Sequence, residues 1–386
     1  MRLAWTALLL VVVVPAWAQS PTSSIWGDLV PGPYGVGVTV LDERDSTRAS
    51  LTVDSVTVMP AGRPVPLVVW YPAKPAVSAR ISLRDYIELG AGGLGAAGFS
   101  LERRRQALES FSADADSEFS RARIDSVIAL PMQARRNVPR ASGRFPLVLF
   151  LHSTPWGAAV MGEYLASHGF VVAAFQSKGA REPAYRLSRA NLDAMVEDAK
   201  FAVSRMRSHV DVTTRLGVIG MSNGSIAAMA LELAGLRPDA IVSLDGGIGE
   251  RAGGTYLAER SMGNPARLTV PLLHLYTPDN PHLDFQYLRS YESSPRMLAR
   301  VDHLRHGDFL TGGALERVMP GWRGEAPSHV TAGFATVCRY TLRFLRWRLA
   351  GDAGSERFLE QSPEANGVLE GLMEIERLPS STDREK

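Results

Sequence analysis

The 386-residue chain contains one cysteine, Cys338, and only four lysines among its 42 basic residues. A single cysteine cannot form an intramolecular disulfide, so a disulfide-stapled scaffold is excluded, and we expect a buried apolar thiol. The charges nearly balance, with 42 Lys and Arg against 40 Asp and Glu, and no basic run is sustained. The sequence therefore lacks the electric field that gathers nucleic acid or anionic lipid, and we expect no nucleic-acid partner.

Long apolar runs are also scarce, and the one near the N-terminus is short. Residues 3–14 are almost wholly apolar and follow Arg2, but a spanning helix needs about 20 such residues. One positive charge, this apolar core and an Ala-x-Ala sequence ending at Ala18 are typical of a secretory signal peptide, residues 1–18. We therefore expect a mature chain of residues 19–386 that is exported to the periplasm or the medium, with no transmembrane segment.

The composition of the whole chain, 45% apolar and 21% charged, is that of a globular protein. Short apolar runs alternate with helical patterns, as expected for a mostly parallel sheet with helices on both faces in an α/β protein. The first strand-like segments, residues 36–71, precede these runs and are predicted to form an antiparallel start to the sheet. The predicted strands are 36–40, 51–59, 65–71, 147–151, 170–175, 216–219, 240–244 and 270–276, and the predicted helices include 189–209, 225–234 and 331–350.

The stretch 82–137 has helix-like spacing and many charges, including the run Arg103-Arg104-Arg105. Helices with charged outer faces need a core to lie on, so we expect a helical insertion or lid on a single domain of residues 19–386. Within it, Gly93–Gly98 matches the dinucleotide pattern G-x-G-x-x-G, but a charged, helix-like segment precedes it instead of a buried strand, so we expect no cofactor there. The polar tail, 375–386, is expected to be disordered.

Residues 220–224 read Gly-Met-Ser-Asn-Gly and match the pattern G-x-S-x-G. The pattern is weak alone, but here a predicted buried strand ends at Ile219 and a helix-forming run begins at Ser225. A sharp strand-to-helix turn needs glycines beside the serine, and it presents the serine Oγ at the carboxyl edge of the sheet. We therefore predict Ser222 as a catalytic nucleophile; the alternative is a serine that only caps the helix.

A serine nucleophile needs a base to take its proton and a carboxylate to orient that base. Where these residues follow one another along the chain in the order serine, acid, histidine, the acid and the base both lie C-terminal to Ser222. Asp245 and Asp279 each follow a predicted strand, and both fit the role of the acid. His306 ends a further strand-like stretch and is favoured as the base over His303, which we expect inside that strand as a structural histidine.

Several segments together resemble the serine hydrolases similar to platelet-activating-factor acetylhydrolase and the bacterial dienelactone-hydrolase-like α/β hydrolases. The likeness runs over nearly the whole mature chain and implies an α/β-hydrolase fold. In the acetylhydrolase branch the acid lies shortly after the strand that follows the nucleophile helix. This selects Asp245, with Asp279 kept as the alternative because many other α/β hydrolases use the later position. The matching segments are 32–34, 36–37, 69–72, 145–150 with His152, 165–174, the elbow at Ser222, 244–246 and 306–309.

The backbone N–H groups of Asn223 and Thr154 are the expected donors of an oxyanion hole. Relatives commonly have His-Gly in the second loop, whereas this chain reads His-Ser-Thr-Pro-Trp-Gly over 152–157. Pro155 has no N–H to donate. The departure indicates either an altered acyl pocket with Trp156 as a wall or a tolerated variant of the loop.

The sequence thus predicts an exported esterase that cleaves a short-acyl or phospholipid-like ester through Ser222, His306 and Asp245, without a cofactor. An amidase, a lactone hydrolase or a dienelactone-type hydrolase would use the same residues, because fold does not choose among these bonds. A non-catalytic binding protein on the same fold is the third alternative.

Residue types that ligate metals recur over 274–284 and 302–308, but neither group has a zinc spacing such as H-E-x-x-H, so we expect no metal. The sequence does not indicate an oligomeric state.

Overall fold

The computed structural model describes residues 23–48, 50–51, 58–59, 62–90, 101–180 and 185–381. The signal-peptide prediction, the Gly93–Gly98 pattern and the middle of the predicted strand 51–59 lie outside the described residues.

Ten strands of the described chain form one sheet, in the order β14-β13-β12-β11-β10-β8-β9-β6-β1-β7. All five pairs from β9 across to β13 are parallel, while β1, β6 and β14 enter through antiparallel pairs. The predicted mostly parallel sheet with an antiparallel opening is therefore confirmed. The strands are β1 (Gly35–Leu41), β2 (Arg44–Asp45), β3 (Ser50–Leu51), β4 (Val58–Met59), β5 (Arg63–Pro64), β6 (Leu67–Ala73), β7 (Arg135–Arg136), β8 (Phe145–Leu151), β9 (Val171–Ala174), β10 (Val212–Met221), β11 (Ala240–Leu244), β12 (Leu272–Tyr276), β13 (Arg296–Val301) and β14 (Met373–Leu378).

Helices cover both faces of this sheet. The helix predicted over 189–209 is observed with those bounds, and the one predicted over 331–350 begins one residue earlier. Neither these nor the other helices of the described chain have the length and apolar character needed to cross a membrane. The helices are α1 (Leu83–Leu89), α2 (Leu101–Ala113), α3 (Arg121–Ile128), α4 (Pro155–Ser167), α5 (Arg189–His209), α6 (Asn223–Leu233), α7 (Arg251–Arg260), α8 (Gln286–Ser290), α9 (Thr311–Leu315), α10 (Val330–Ala350) and α11 (Ala353–Glu360).

The core divides into two apolar clusters, one on each face of the sheet. Successive side chains of a strand point to opposite faces, and in β8 Val148 and Phe150 join one cluster while Leu147 and Leu149 join the other. Helices α4 and α10 contribute to the first cluster, together with the buried thiol of Cys338, as predicted. Helices α5 and α6 contribute to the second. Burial of both faces explains why the central strands are continuous apolar runs.

A buried carboxylate, Glu163 on α4, joins three parts of the chain. It accepts hydrogen bonds from Trp26 Nε1 at 2.9 Å, Tyr86 OH at 2.8 Å, and the backbone N–H groups of Gln133 and Ala134 at 3.0 and 2.8 Å. Burial raises the pKa of Glu163. Four donors offset the cost of removing this carboxyl from water. They also fix α1 and the chain beyond α3 against α4, the helix that leads from the predicted oxyanion loop.

The C-terminal segment corrects the predicted disordered tail. Residues 373–378 form β14, which pairs antiparallel with β13 from Arg296 to Val301. Met373 is buried and Ile375 packs against the core, while Glu374 between them and Glu376 after them are exposed, which is the period-2 alternation of an edge strand with one covered face. The prediction of disorder is therefore wrong for 375–381; residues 382–386 lie outside the described chain.

Candidate active site

Ser222 occupies a strained turn between β10 and α6. Its φ of 51° and ψ of −125° lie where non-glycine residues are rare. The flanking glycines are required, because a Cβ on Gly220 would lie 2.4 Å from the backbone N of Ser225, and one on Gly224 would lie 2.6 Å from the carbonyl oxygen of Leu151. The Ser222 side chain makes no capping hydrogen bond to the helix. The geometry is that of an elbow that presents a side chain, not of an ordinary helix cap.

Two hydrogen bonds tie this elbow to the end of β11 and the chain that follows it, and a third lies within the elbow. The backbone N–H of Ser222 donates to the carbonyl of Leu244 at 3.1 Å, and its own carbonyl accepts from the N–H of Gly247 at 3.1 Å. The Ser225 hydroxyl donates to the same carbonyl at 2.7 Å. Because Asp245 lies between Leu244 and Gly247, these bonds fix the serine relative to the acidic residue.

The structure brings Asp245 and His306, two of the sequence-predicted site residues, into direct contact. Asp245 Oδ2 lies 2.5 Å from His306 Nδ1, and Asp245 Oδ1 accepts the backbone N–H of Thr277 at 3.1 Å. The carboxylate is buried, whereas 55% of the His306 side chain is exposed. Asp279, the alternative acid, is exposed in the loop after β12, and its backbone N–H donates to the Thr277 hydroxyl. The structure therefore pairs the histidine with Asp245 and not with Asp279.

The loop that carries His306 is held by ion pairs rather than by the imidazole. Asp308 accepts the backbone N–H of Arg305 at 2.9 Å and its Nε at 2.9 Å, and Arg305 Nη2 also donates to Glu316 at 2.6 Å. Both carboxylates are buried, so the guanidinium offsets their charges. His303 departs from prediction, because β13 ends at Val301 and His303 is an exposed turn residue with φ of 62°.

The two predicted oxyanion donors lie at helix N-termini that start beside each other. Gly220 of β10 pairs with Leu151 of β8, so the chain leaves both strands at the same edge of the sheet. Thr154 is the N-cap of α4 and Asn223 is the first residue of α6, positions whose N–H groups the helix leaves unpaired. Pro155 is the first residue of α4, where a missing N–H costs nothing. The unusual Thr-Pro sequence thus starts a helix instead of disrupting the loop.

His152, at the start of this loop, was not predicted to have a role. It adopts φ of 60°, and its ring packs edge-on against Tyr185 with 4.5 Å between centroids. Burial, and secondarily the nearby His306, lower the pKa of His152 to about 4. The imidazole is therefore neutral near pH 7 and adds no positive charge beside His306.

A cleft of about 490 Å³ lies alongside these residues. It reaches His152, which packs against the elbow at Gly224, and Gly307, which adjoins His306. Helices α1 and α2 from the stretch 82–137 form another wall. The lining residues are Ile87, Gly90, Ala107, Ser110, Phe111, Asp114, His152, Ser153, Thr154, Trp156, Gly157, Gln176, Ser177, Tyr185, Gly307, Leu310 and Arg323.

His274 lies below the acid, on the strand next to that of Asp245. Its Nδ1 is 2.8 Å from the Ser243 hydroxyl, and its Nε2 has no hydrogen-bond partner among the described residues. Burial lowers the pKa of His274 to about 4, against the opposing effect of Asp245. Within the described chain, no three His, Cys, Asp or Glu side chains converge as a metal site requires, around His274 or elsewhere.

Acid is expected to destabilise the protein through this histidine. The folded-state pKa lies below the unfolded value, so the unfolded chain binds more protons below about pH 6.5 and stability falls as pH drops toward 4, by up to about 1.4 kcal/mol per pH unit for one histidine. His274→Asn keeps a polar group near Ser243 without titrating. Urea unfolding at pH 7.0, 5.5 and 4.5 should therefore give a shallower pH dependence for this variant. The exposed His282→Asn serves as the control, and an unchanged slope in His274→Asn would contradict the assignment.

Comparison with known proteins supports the fold. A solved structure of a ferulic acid esterase from Streptomyces cinnamoneus matches with a TM-score of 0.56 and 18% sequence identity, covering 82% of this chain and 91% of that one. No protein-family model matches the chain, and no curated protein matches it either. The chain has the α/β-hydrolase fold that the sequence predicted; the narrower resemblance to the acetylhydrolase and dienelactone-hydrolase groups stays a prediction.

Proposed function

We propose that this protein is a serine hydrolase that cleaves carboxylic esters through an acyl-enzyme. Ser222 is the nucleophile, His306 the general base and then the general acid, and Asp245 the residue that orients His306. The observation that carries the proposal is the 2.5 Å contact between the buried Asp245 carboxylate and His306 Nδ1, on a loop tied to the strained Ser222 elbow.

We propose the following reaction for these residues. Asp245 holds the proton on His306 Nδ1, which leaves Nε2 free to accept the Ser222 hydroxyl proton as Oγ attacks the ester carbonyl. The negative charge that develops on the carbonyl oxygen is stabilised by the N–H groups of Asn223 and Thr154. Collapse of this intermediate expels the alcohol, which takes the proton from His306. Water, deprotonated by His306, then attacks the acyl-enzyme, and His306 returns the proton to Ser222 Oγ as the acid leaves.

Two observations support an ester as the bond that is cleaved. The matching solved structure is a ferulic acid esterase, and the cleft beside His306 has aromatic and aliphatic walls suited to the apolar part of an ester. We propose short-acyl, phospholipid-like or aromatic esters as the substrate class. Amide, lactone and dienelactone substrates are tested alongside them. From the N-terminal sequence we propose that the mature enzyme acts in the periplasm or the medium.

The test is covalent labelling with a fluorophosphonate, followed by intact-mass analysis and peptide mapping. We expect one adduct per chain, located on Ser222, because the reagent reacts only with an activated serine. The Ser222→Ala variant should remain unlabelled under the same conditions. A folded wild-type sample that takes up no reagent would overturn the proposal and favour a non-catalytic binding protein.

A further inference from the structure

Two buried hydroxyl groups, on residues that line the cleft, have no hydrogen-bond partner among the described residues. They belong to Ser177 and Tyr185, both of which line the cleft, and both oxygens are shielded from solvent. A buried polar group without a partner costs roughly 1–3 kcal/mol. Such groups are uncommon in folded proteins. Finding two of them in one cleft indicates a surface that gains its partners from a ligand.

The position of these residues links them to the candidate catalytic groups. Both follow β9, whose neighbour β8 leads into the oxyanion loop. The Tyr185 ring contacts His152, and His152 packs against Gly224 of the elbow. A ligand that reaches the Tyr185 hydroxyl therefore extends along the cleft from the Ser222 side.

Protonation decides which groups Tyr185 can bind. Burial raises the pKa of Tyr185 to about 12, so its phenol keeps its proton throughout the range in which an esterase works. Ser177 also carries a hydroxyl that both donates and accepts. The pair therefore suits an oxygen that accepts a hydrogen bond, or a hydroxyl that accepts and donates.

The other walls indicate what carries that oxygen. Phe111 and Trp156 meet edge to face with 5.2 Å between ring centroids, and Leu310 lies beside them in the lining. The charged Arg323 is paired with Asp114 at 3.2 Å, so this end of the cleft offers no unbalanced charge to an anion. The walls fit a flat apolar body with a neutral oxygen substituent.

We propose that Ser177 and Tyr185 form a polar subsite that selects esters whose aromatic part bears a hydroxyl or ether oxygen. The proposal rests on the esterase function proposed above. The subsite contributes to specificity and not to the chemical step. Its effect is therefore seen as a difference in kcat/KM between substrates with and without the oxygen. A site that hydrogen-bonds a substrate hydroxyl discriminates against the analogue without it, because its own buried groups are then left unpaired.

Matched substrate pairs test the subsite. Methyl 4-hydroxycinnamate against methyl cinnamate varies the acyl side, and 4-hydroxyphenyl acetate against phenyl acetate varies the alcohol side. We expect kcat/KM to favour the hydroxylated member of one pair by about 10-fold, the worth of one hydrogen bond. Tyr185→Phe and Ser177→Ala should each reduce that preference, and the double variant should bring it close to 1. Tyr34→Phe, outside this cleft, should keep it.

Two further measurements separate the possible failures. The Ser222→Ala variant should bind methyl 4-hydroxycinnamate more tightly than methyl cinnamate, and this preference should disappear when Tyr185→Phe is added. If the hydroxylated ester bound more tightly but the wild type hydrolysed neither ester, the esterase proposal would be overturned and the subsite would stand. Turnover with equal preference in the wild type and the double variant would overturn the subsite.

Tyr185→Phe should not lower Tm, because the hydroxyl it removes has no partner in the described chain; a loss of several degrees would mean a structural role instead.

Discussion

Ser222→Ala is expected to reduce kcat for ester hydrolysis by about 10⁴- to 10⁶-fold, because no other group can form the acyl-enzyme. Alanine preserves the backbone turn at φ 51° and removes only Oγ, which makes no capping hydrogen bond. The variant should therefore unfold at nearly the wild-type temperature. Initial rates with a p-nitrophenyl ester, corrected for spontaneous hydrolysis, measure the effect.

Variants at two other serines distinguish loss of the nucleophile from a structural effect on its surroundings. Ser208, exposed near the end of α5, provides the control, and Ser208→Ala should be fully active. Ser225→Ala removes the hydrogen bond to the Ser222 carbonyl and should lower activity by a smaller factor, through misplacement of the elbow. If Ser222→Ala retained more than a few per cent of the wild-type rate, another residue would have to be the nucleophile.

Local patterns in the sequence predicted the parts of the molecule that depend on local chemistry. The buried runs around Val148 and Val218 imply strands covered on both faces, and the glycines at 220 and 224 imply a turn in which a Cβ would collide with backbone. The same logic placed Ser222 directly after a strand. These features need only neighbouring residues, so one sequence suffices to predict them.

Long-range contacts could not be predicted in this way. Glu163 reads as an ordinary helix residue, and only the fold shows that its donors come from Trp26, Tyr86 and the chain after α3. Tyr185 and Ser177 likewise gain meaning only when the cleft assembles around them. Strand β14 escaped prediction because its apolar residues are separated by charged ones, and an edge strand gives a weak signal. The choice between Asp245 and Asp279 depended on a family resemblance until the contact to His306 was visible.

Asp245→Asn is expected to lower kcat by about 10³- to 10⁴-fold, with KM little changed. An amide at this position offers its N–H₂ to His306 Nδ1, which favours the tautomer protonated at Nε2, and that tautomer cannot accept the serine proton. The loss also removes the negative charge that stabilises the imidazolium during the reaction. Asp279→Asn is the matched control, because that carboxylate is exposed and should leave kcat within about 2-fold of the wild type.

The pair of variants discriminates between the two acids in a way that a single variant cannot. Asp245 Oδ1 also accepts the N–H of Thr277, and in Asp245→Asn the amide oxygen keeps this hydrogen bond while the N–H₂ faces His306, so the loop that carries Asp279 should stay in place. A structural effect transmitted through Thr277 would lower stability in step with activity, whereas loss of the His306 contact lowers kcat at unchanged Tm. If Asp279→Asn were the slow variant and Asp245→Asn the active one, the loop after β12 would have to move so that Asp279 reaches His306 during catalysis. If both were fully active, His306 would not be the base, because an imidazole without a carboxylate partner loses the orientation that the proposed mechanism requires.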